Sequence, residues 1–589
     1  MNKNNNLQMI SKLMLKLLPV QVVLSAVGSV NGIVSSYFAS NFVGIDAMSA
    51  VGLYGPANLL IVSIGTMLSG GCAIICGKYL GQNEVDKLKG TFSLDIVLSA
   101  GVALVFTVLF ALMGITGFTG FFTTDPVLQP IFSRYLLGQC IGVLPLILGS
   151  QLAPFLAMEN QNRRTIAASV AYIFVNLIFN FVFVQFLHLE ELGLALASSL
   201  GMWVFLGVEA QYFFTKDAQI RFSFRDIAWR EFLMVFAIGF PGAAVNIYQT
   251  LRGLAVNKLL EVHTGSMGLS AFSAANNVMG IFWAIPAGMI AVSRLMISVS
   301  IGEEDRQTLG DVMRVMMRRY QPLMCVIAAG IILCAKPLTR IFFDDPSVPV
   351  YGMMVNCLRI LPLCMPTAIV CMHMTCYGQA SGKQLLVNLT SLLDGVVCVA
   401  LFSFLLAKPF GVNGVCFANV LNGIVCAAVF VGYSWIKRKQ FPKTMEQLMI
   451  IPENFGVSER ERIDISVRTT EDVVTLSQRI HEFCLNRGID ERRAYYSALA
   501  MEEMAGNIVE HGFTKDHKTH SIDVRVVHKE DNVILRIKDD CIPFDPKERQ
   551  QISENEDITK NIGIRMIYRM IKDIDYQNML GLNVLTIKI

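Results

Sequence analysis

Residues 79–88 read YLGQNEVDKL, and residues 299–309 read VSIGEEDRQTL. Superimposed on Gly81 and Gly302, each closes an apolar run with a glycine, passes through a short polar turn and starts a second run on charged residues. The match belongs to a series at an offset of about 220 residues. Pro19 falls on Pro241, Met48-Ser49-Ala50-Val51 on Leu269-Ser270-Ala271-Phe272, and Gly193 of ELGLALASSL on Gly411 of PFGVNGVCFA. A constant offset means that the chain contains one unit twice.

Hydropathy says what the unit is. The chain has 589 residues, of which 53% are hydrophobic and only 16% charged; a soluble domain carries about a quarter charged. Residues 1–436 are poor in Asp and Glu, whereas 437–589 are dense in both signs. Apolar runs long enough to span a bilayer fall near 14–38, 50–77, 92–113, 131–157, 165–187, 193–214, 231–258, 267–299, 319–342, 350–377, 384–407 and 411–436. Spanning strands are not expected, because an open sheet edge cannot be satisfied in lipid. The expected fold is an all-α polytopic membrane protein with twelve transmembrane helices, arranged as 6+6 pseudo-symmetric lobes over 10–215 and 230–436. Duplicated lobes place a substrate site between them.

Charge sets the expected orientation. With the N-terminus inside, the inside loops carry Lys87, Lys89, Arg163, Arg164, Arg221, Arg225, Arg306, Arg318, Arg319 and Lys383, among others. The outside loops carry only Arg134, Lys258, Lys336, Arg340 and Lys408, together with acids such as Asp46, Glu190 and Asp345. That bias puts both termini in the cytoplasm of a cell-membrane protein. The opening MNKNNNLQMI lacks a small-residue cleavage site, so the first run reads as a retained helix. A formal net charge of +3 without a basic stripe excludes a nucleic-acid partner. The 14 Cys are scattered singly, without metal-ligand spacing.

Ionisable and amide residues at membrane depth are the candidates for coupling and transport. Asp394 lies inside the eleventh run, His373 in the tenth, Arg252 in the seventh and Arg359 in the tenth. Asn176, Asn180, Asn246 and Gln249 either line a polar cavity or hydrogen-bond between helices. For Asp394 the alternative is a structural pair or hydrogen bond between helices, and His373 reads first as a helix-packing histidine near a helix end.

Residues 437–460, with KRKQFPK and IPENFG, read as a linker, and 461–589 as a soluble domain. RIDISVR (462–468) alternates like a strand, 471–488 and 491–512 are amphipathic helices closed by glycine, 521–530 and 532–540 form a hairpin, and 573–589 gives two strands around Gly581. This is an α+β sandwich with helices on one face of a sheet. Glu503, Asn507 and His511 share one helical face at i, i+4 and i+8. The Asn amide oxygen suits Mg²⁺ beside phosphate, and Glu503 suits the role of catalytic base. Asp539 at a strand end is a hydrogen-bond acceptor for an adenine amino group, with Cys541 in the turn after it. Gly563, opening a helix, lets backbone N–H groups approach phosphate.

The membrane part resembles the multidrug and toxic compound extrusion (MATE) family over about residues 10–436. FVGIDAMSAVGLYGP (42–56), GKYLGQNE (77–84), AMENQNRR (157–164) and YGQASGKQ (377–384) carry the resemblance. It implies export of organic cations, driven by Na⁺ or H⁺ entering. Ser35 stands where many members have a first-helix carboxylate. The blocks MEEMAGNIVEH (501–511), IKDDCIPFDP (537–546) and NIGIRMI (561–567) resemble the GHKL (Bergerat) ATPase fold, most closely its anti-sigma-factor serine-kinase branch. That implies ATP and Mg²⁺ as cofactors, and either slow ATP hydrolysis, phosphorylation of an antagonist-type protein partner, or regulation without turnover. Cys541 replaces a family glycine, and Lys560-Asn561 a Gly-Gly pair. A Walker A pattern is absent, which argues against a primary pump. Two functions are expected from the pairing: an ion-coupled antiporter with an ATP-binding domain, or a sensor whose lobes report ligand occupancy to a kinase.

Overall fold

The computed structural model describes residues 4–38, 42–43, 45–119, 126–343, 345–453, 455–457, 461–512, 522–529, 532–543, 546 and 562–589. The described residues of the membrane part form helices joined by irregular turns. α1 is Asn4–Phe38, α2 Ile45–Gln82, α3 Val85–Thr116 and α4 Leu128–Met158. α5 is Asn162–Phe186, α6 Glu190–Phe213, α7 Trp229–Gly265, α8 Met267–Gly302, α9 Arg306–Leu333 and α10 Pro349–Ala380. Residues 384–438 continue helically through a break at Gly411 (φ 56°), which divides them into α11 (384–410) and α12 (412–438). Among the described residues, ten helices, counting 384–438 as one, are long and apolar enough to cross a membrane. α1 and the division at Gly411 complete the twelve that the sequence predicts.

The duplication is visible in the backbone. Left-handed residues end α2 at Asn83 (φ 66°), follow α4 at Asn160 (φ 57°) and open α6 at Glu190 (φ 51°). In the second lobe they recur at Glu304 (φ 51°), Gly382 (φ 78°) and Gly411 (φ 56°), again about 220 residues on. The lobes meet along α2, which packs on α7 and α8, and along α1, which packs on α8 and the start of α9.

After a short helix, α13 (Met445–Met449), the chain forms an antiparallel sheet in the order β1-β2-β3-β5-β4. The strands are β1 Arg462–Val467, β2 Ile522–Lys529, β3 Asn532–Asp539, β4 Asp573–Met579 and β5 Leu582–Lys588. The helices α14 (Thr470–Leu485), α15 (Glu491–Asn507) and α16 (Ile562–Met570) cover one face. Thr469 and Asp472 cap α14 reciprocally, which stabilises that end by about 1 kcal/mol. Val533, Leu535 and Ile537 point to the helices and pack with Ile480, Met501 and Ile587. The period of two puts Arg525, Arg536 and Lys538 on the opposite face.

That second face lies against the end of the bundle at which α1 starts, the docked end. Arg525 pairs with Asp305 (2.6 Å), and Lys538 with Glu303 (2.6 Å), both acids in the α8–α9 turn. On the first lobe, Lys12 pairs with Asp540 (2.6 Å), Asn83 bonds Asp575, and the Leu580 N–H donates to the Met158 carbonyl (2.7 Å). Gly581, at φ 78°, fits under Lys16 and Asn160, where a Cβ would come 2.9 Å from Lys16 Nζ. The segment read as a linker is tied down as well. Arg306 pairs with Glu446 (3.2 Å), and Lys383 Nζ donates to the carbonyls of Met449 (2.5 Å) and Ile450 (3.1 Å).

Candidate functional site

A cavity of 770 Å³ lies between the lobes. Its first-lobe wall includes Gln21, Ser25, Thr66 and Ser150; its second-lobe wall includes Asn246, Gln249 and Trp283. Of the amides expected to line a cavity, Asn246 and Gln249 do. Asn176 and Asn180 do not. Asn176 donates to Ser198 (3.1 Å) and Asn180 to the Asn176 side chain (3.1 Å), both buried inside the first lobe. Ser35 joins the same neutral network through Ser198 (3.5 Å). Ser35, Ser198, Asn176 and Asn180 thus form a neutral hydroxyl–amide network in which Asn180 Oδ1 has no partner among the described residues.

The remaining membrane candidates also sit outside the cavity lining. Asp394 lies in a widened turn, Leu393–Val397, and accepts from Asn422 Nδ2 (2.7 Å), with Arg252 as its opposite charge. His373 is buried, its ring 6.0 Å from that of Tyr320, and its Nε2 has no hydrogen-bond partner among the described residues. The sequence reading passed over two further acids. Asp95 is buried on α3, where Ser99 donates to it (3.4 Å), and Glu209 is buried on α6 beside Thr165. Acids one to three turns inside a helix that starts or ends in a charged loop carry little signal against that background. It also passed over Arg294 on α8, the one charged residue among the described residues that line the cavity.

In the soluble domain, Glu503 and Asn507 stand half-buried one turn apart on α15, and His511 lies in the wider turn Ile508–Gly512 that follows. Gly563 is the second residue of α16. Residues 547–561, including Lys560-Asn561, lie outside those described. Asp539 ends β3 on the helix-covered face and is 3% exposed. Asn583, directly across on β5, donates to Asp539 Oδ1 (2.7 Å), and the Cys541 N–H donates to the same oxygen (2.9 Å). Tyr576 and Asn578 in turn bond the Asn583 amide oxygen (2.8 and 2.6 Å), which fixes its orientation. Asn583 is thus a positioning residue that no block in the sequence marks. Burial pushes the Asp539 carboxyl above its ordinary value, and the two donors offset this in part. A Cβ at Gly512 would lie 3.2 Å from Cys541 Cβ, so the end of the α15 segment and the turn after β3 abut.

These residues fit an adenine nucleotide. Asp539 is a buried acceptor with no ion-pair partner among the described residues, so it suits a neutral N–H donor such as an adenine amine. Asn507 would hold Mg²⁺ beside the phosphates and Glu503 would orient a water or hydroxyl. Asp540, next to Asp539, is the residue held by Lys12 of α1. At the interface, burial pushes the Asp305 carboxyl up, but the Arg525 and Lys538 cations outweigh it and hold it well below the usual carboxylate range.

Comparison with known proteins matches residues 7–182 and 241–406 to the MatE family model, and 467–589 to that of the histidine kinase-like ATPase domain. A probable multidrug resistance protein NorM of Bacillus licheniformis is 21% identical over 201 residues, covering 31% of this chain and 44% of that protein. The chain therefore spans under half the length of the curated relatives it matches. The crystal structure of MATE in complex with MaL6 superimposes with a TM-score of 0.67 at 18% identity, covering 74% of this chain and 98% of that one. The outward-facing conformation of a multidrug resistance MATE family transporter of the MOP superfamily gives 0.66 at 17%, with the same coverage. These two likenesses show the fold.

Proposed function

The chain belongs to the MatE family, and from that premise we propose that it is a secondary transporter carrying small organic compounds by alternating access. Its histidine kinase-like ATPase domain braces one end of the bundle. One observation carries this reading: the sheet is bonded to both lobes at once. Asp540 and Leu580 hold the first lobe through Lys12 and Met158, while Arg525 and Lys538 hold the second through Asp305 and Glu303. Opening the docked end separates the lobes and must break one set. The second-lobe pairs are largely buried, and losing one partner of such a pair costs about 3–5 kcal/mol, whereas Lys12 is exposed and its pair is worth about 1 kcal/mol or less.

The Lys/Arg bias of its loops supports a docked end in the cytoplasm, where ATP is at hand. Mg-ATP, when bound, would bring phosphate and metal charge to the α15 face. The chain's own part is to seat the adenine at Asp539 and to carry any shift of the adjoining Asp540 to Lys12. Na⁺ or H⁺ is the proposed coupling ion. Asp394, in its widened turn with Asn422 and Arg252, is the proposed coupling carboxylate, since its charge state would set both contacts.

The test is flux of a fluorescent organic compound into liposomes bearing the purified chain, under imposed Na⁺ and pH gradients, for wild type and Arg525→Glu. Gradient-driven flux that changes in rate when the brace is broken is the expected result. Binding of the compound without flux would return the sensor reading, in which the lobes report occupancy to the ATPase domain.

A further inference from the structure

We infer that the central cavity takes an organic anion, held by Arg294, rather than an organic cation. The inference rests on reading this cavity as the transport site. Arg294 projects from α8 toward the first lobe, where its guanidinium lies against α2: a Cβ at Gly70 would come 3.3 Å from Arg294 Nη1. Behind it the guanidinium touches Cys376 of α10. Its Nε is buried without a hydrogen-bond partner, and the residue has no ion-pair partner among the described residues.

The rest of the lining is neutral. Gln21, Ser25, Thr66, Ser150, Asn246 and Gln249 supply hydroxyls and amides, and the remainder is apolar, with Leu17, Ile61 and Trp283 among it. A cation entering this space would meet a like charge and, among the described lining residues, no carboxylate, while losing its water. An anion would meet the opposite case. An arginine at membrane depth is costly unless a negative group compensates it, and in this cavity the compensating group has to arrive with the substrate. The guanidinium fork matches a carboxylate or phosphate with two parallel N–H···O bonds. The apolar walls and Trp283 match a hydrocarbon or aromatic body. The ligand class is therefore an amphiphilic organic acid.

The experiment measures dye binding to the purified full-length chain in detergent by fluorescence polarisation, without any flux. The probes share one ring system and differ in charge: carboxyfluorescein as the anion and rhodamine 6G as the cation. Wild type is expected to bind the anion at least tenfold more tightly. Arg294→Gln removes that preference and Arg294→Lys keeps part of it. Ser150→Asp leaves Arg294 in place and weakens the anion by setting a carboxylate in the same cavity. Equal affinity for the two dyes in wild type, preference for the cation, or anion binding unchanged in Arg294→Gln overturns the inference. Selective anion binding in a chain that shows no flux leaves the site standing and removes only the transport reading.

Discussion

Gly81 of α2 and Gly302 of α8, the same position in the two copies of the duplicated unit, meet backbone to backbone at the docked end. A Cβ at Gly81 would come 3.0 Å from the Gly302 carbonyl carbon and run into the Val299 carbonyl oxygen. One at Gly302 would lie 2.8 Å from Lys78 Cα and run into the Lys78 carbonyl oxygen. The lobes are closed against each other here, with no room for any side chain. The ATPase domain sits directly over the seam.

Gly302→Val is expected to hold the docked end apart. Overpacking of this kind costs about 1–3 kcal/mol, enough to move a closed-to-open population by roughly 5- to 150-fold. Spin labels on Lys89 and Arg314 should report a longer separation, and vesicle flux should fall. An unchanged distance would mean that the seam yields without opening.

Losing either partner of the Asp305–Arg525 pair should release the sheet. Arg525→Glu is expected to cost about 3–5 kcal/mol of docking, read as faster amide exchange along β2 and β3, with partial rescue by Asp305→Arg. The carboxyl is depressed in the docked state, so its contribution is present above the ordinary carboxylate pKa of about 4 and lost as pH falls below it. Docking should be flat with pH from about 5 upward. Release on mild acidification near neutrality would contradict the assignment.

Nucleotide affinity should depend on Asn583 as well as on the blocks legible in sequence. Asn583→Leu removes the donor to Asp539 Oδ1 and raises its carboxyl further; Asn507→Ala removes the proposed Mg²⁺ ligand. Both are expected to abolish Mg-ATP binding by calorimetry, and unchanged affinity in either would remove that residue from the site. With the Asp539 pKa raised above its unfolded value, the native domain binds the extra proton in that window. Domain stability therefore falls as pH rises through it, while affinity for an adenine donor is lost as pH drops through it.

Asp394→Asn is expected to keep the fold, since Asn422 can bond an amide, yet uncouple flux from the ion gradient. Flux at the wild-type rate and with wild-type gradient dependence would reassign Asp394 to packing against Arg252.

The sequence and the structure part company at particular residues. Asn176, Asn180, Asn246 and Gln249 read alike along the chain, yet only the last two face the cavity. Helical position fixes a face, but which neighbour covers that face is a tertiary outcome. Asn583 was invisible because its role comes from cross-strand register with Asp539, 44 residues away. Gly81 and Gly302 were found as a repeat; their contact was not.

By itself the sequence determined the local and periodic: twelve apolar runs, the duplication at a constant offset, five alternating strands, and Glu503 and Asn507 on one helical turn. Those follow from side-chain period and from the length of a bilayer crossing. Only the tertiary structure decided that Arg525, Arg536 and Lys538, the polar face of a sheet that by pattern looks solvated, lie on Glu303 and Asp305, and that Arg294 faces a cavity with no acid among its described lining residues. The physical reason is that charge fixes what a side chain needs, while its partner depends on where elements far apart in the chain come to rest.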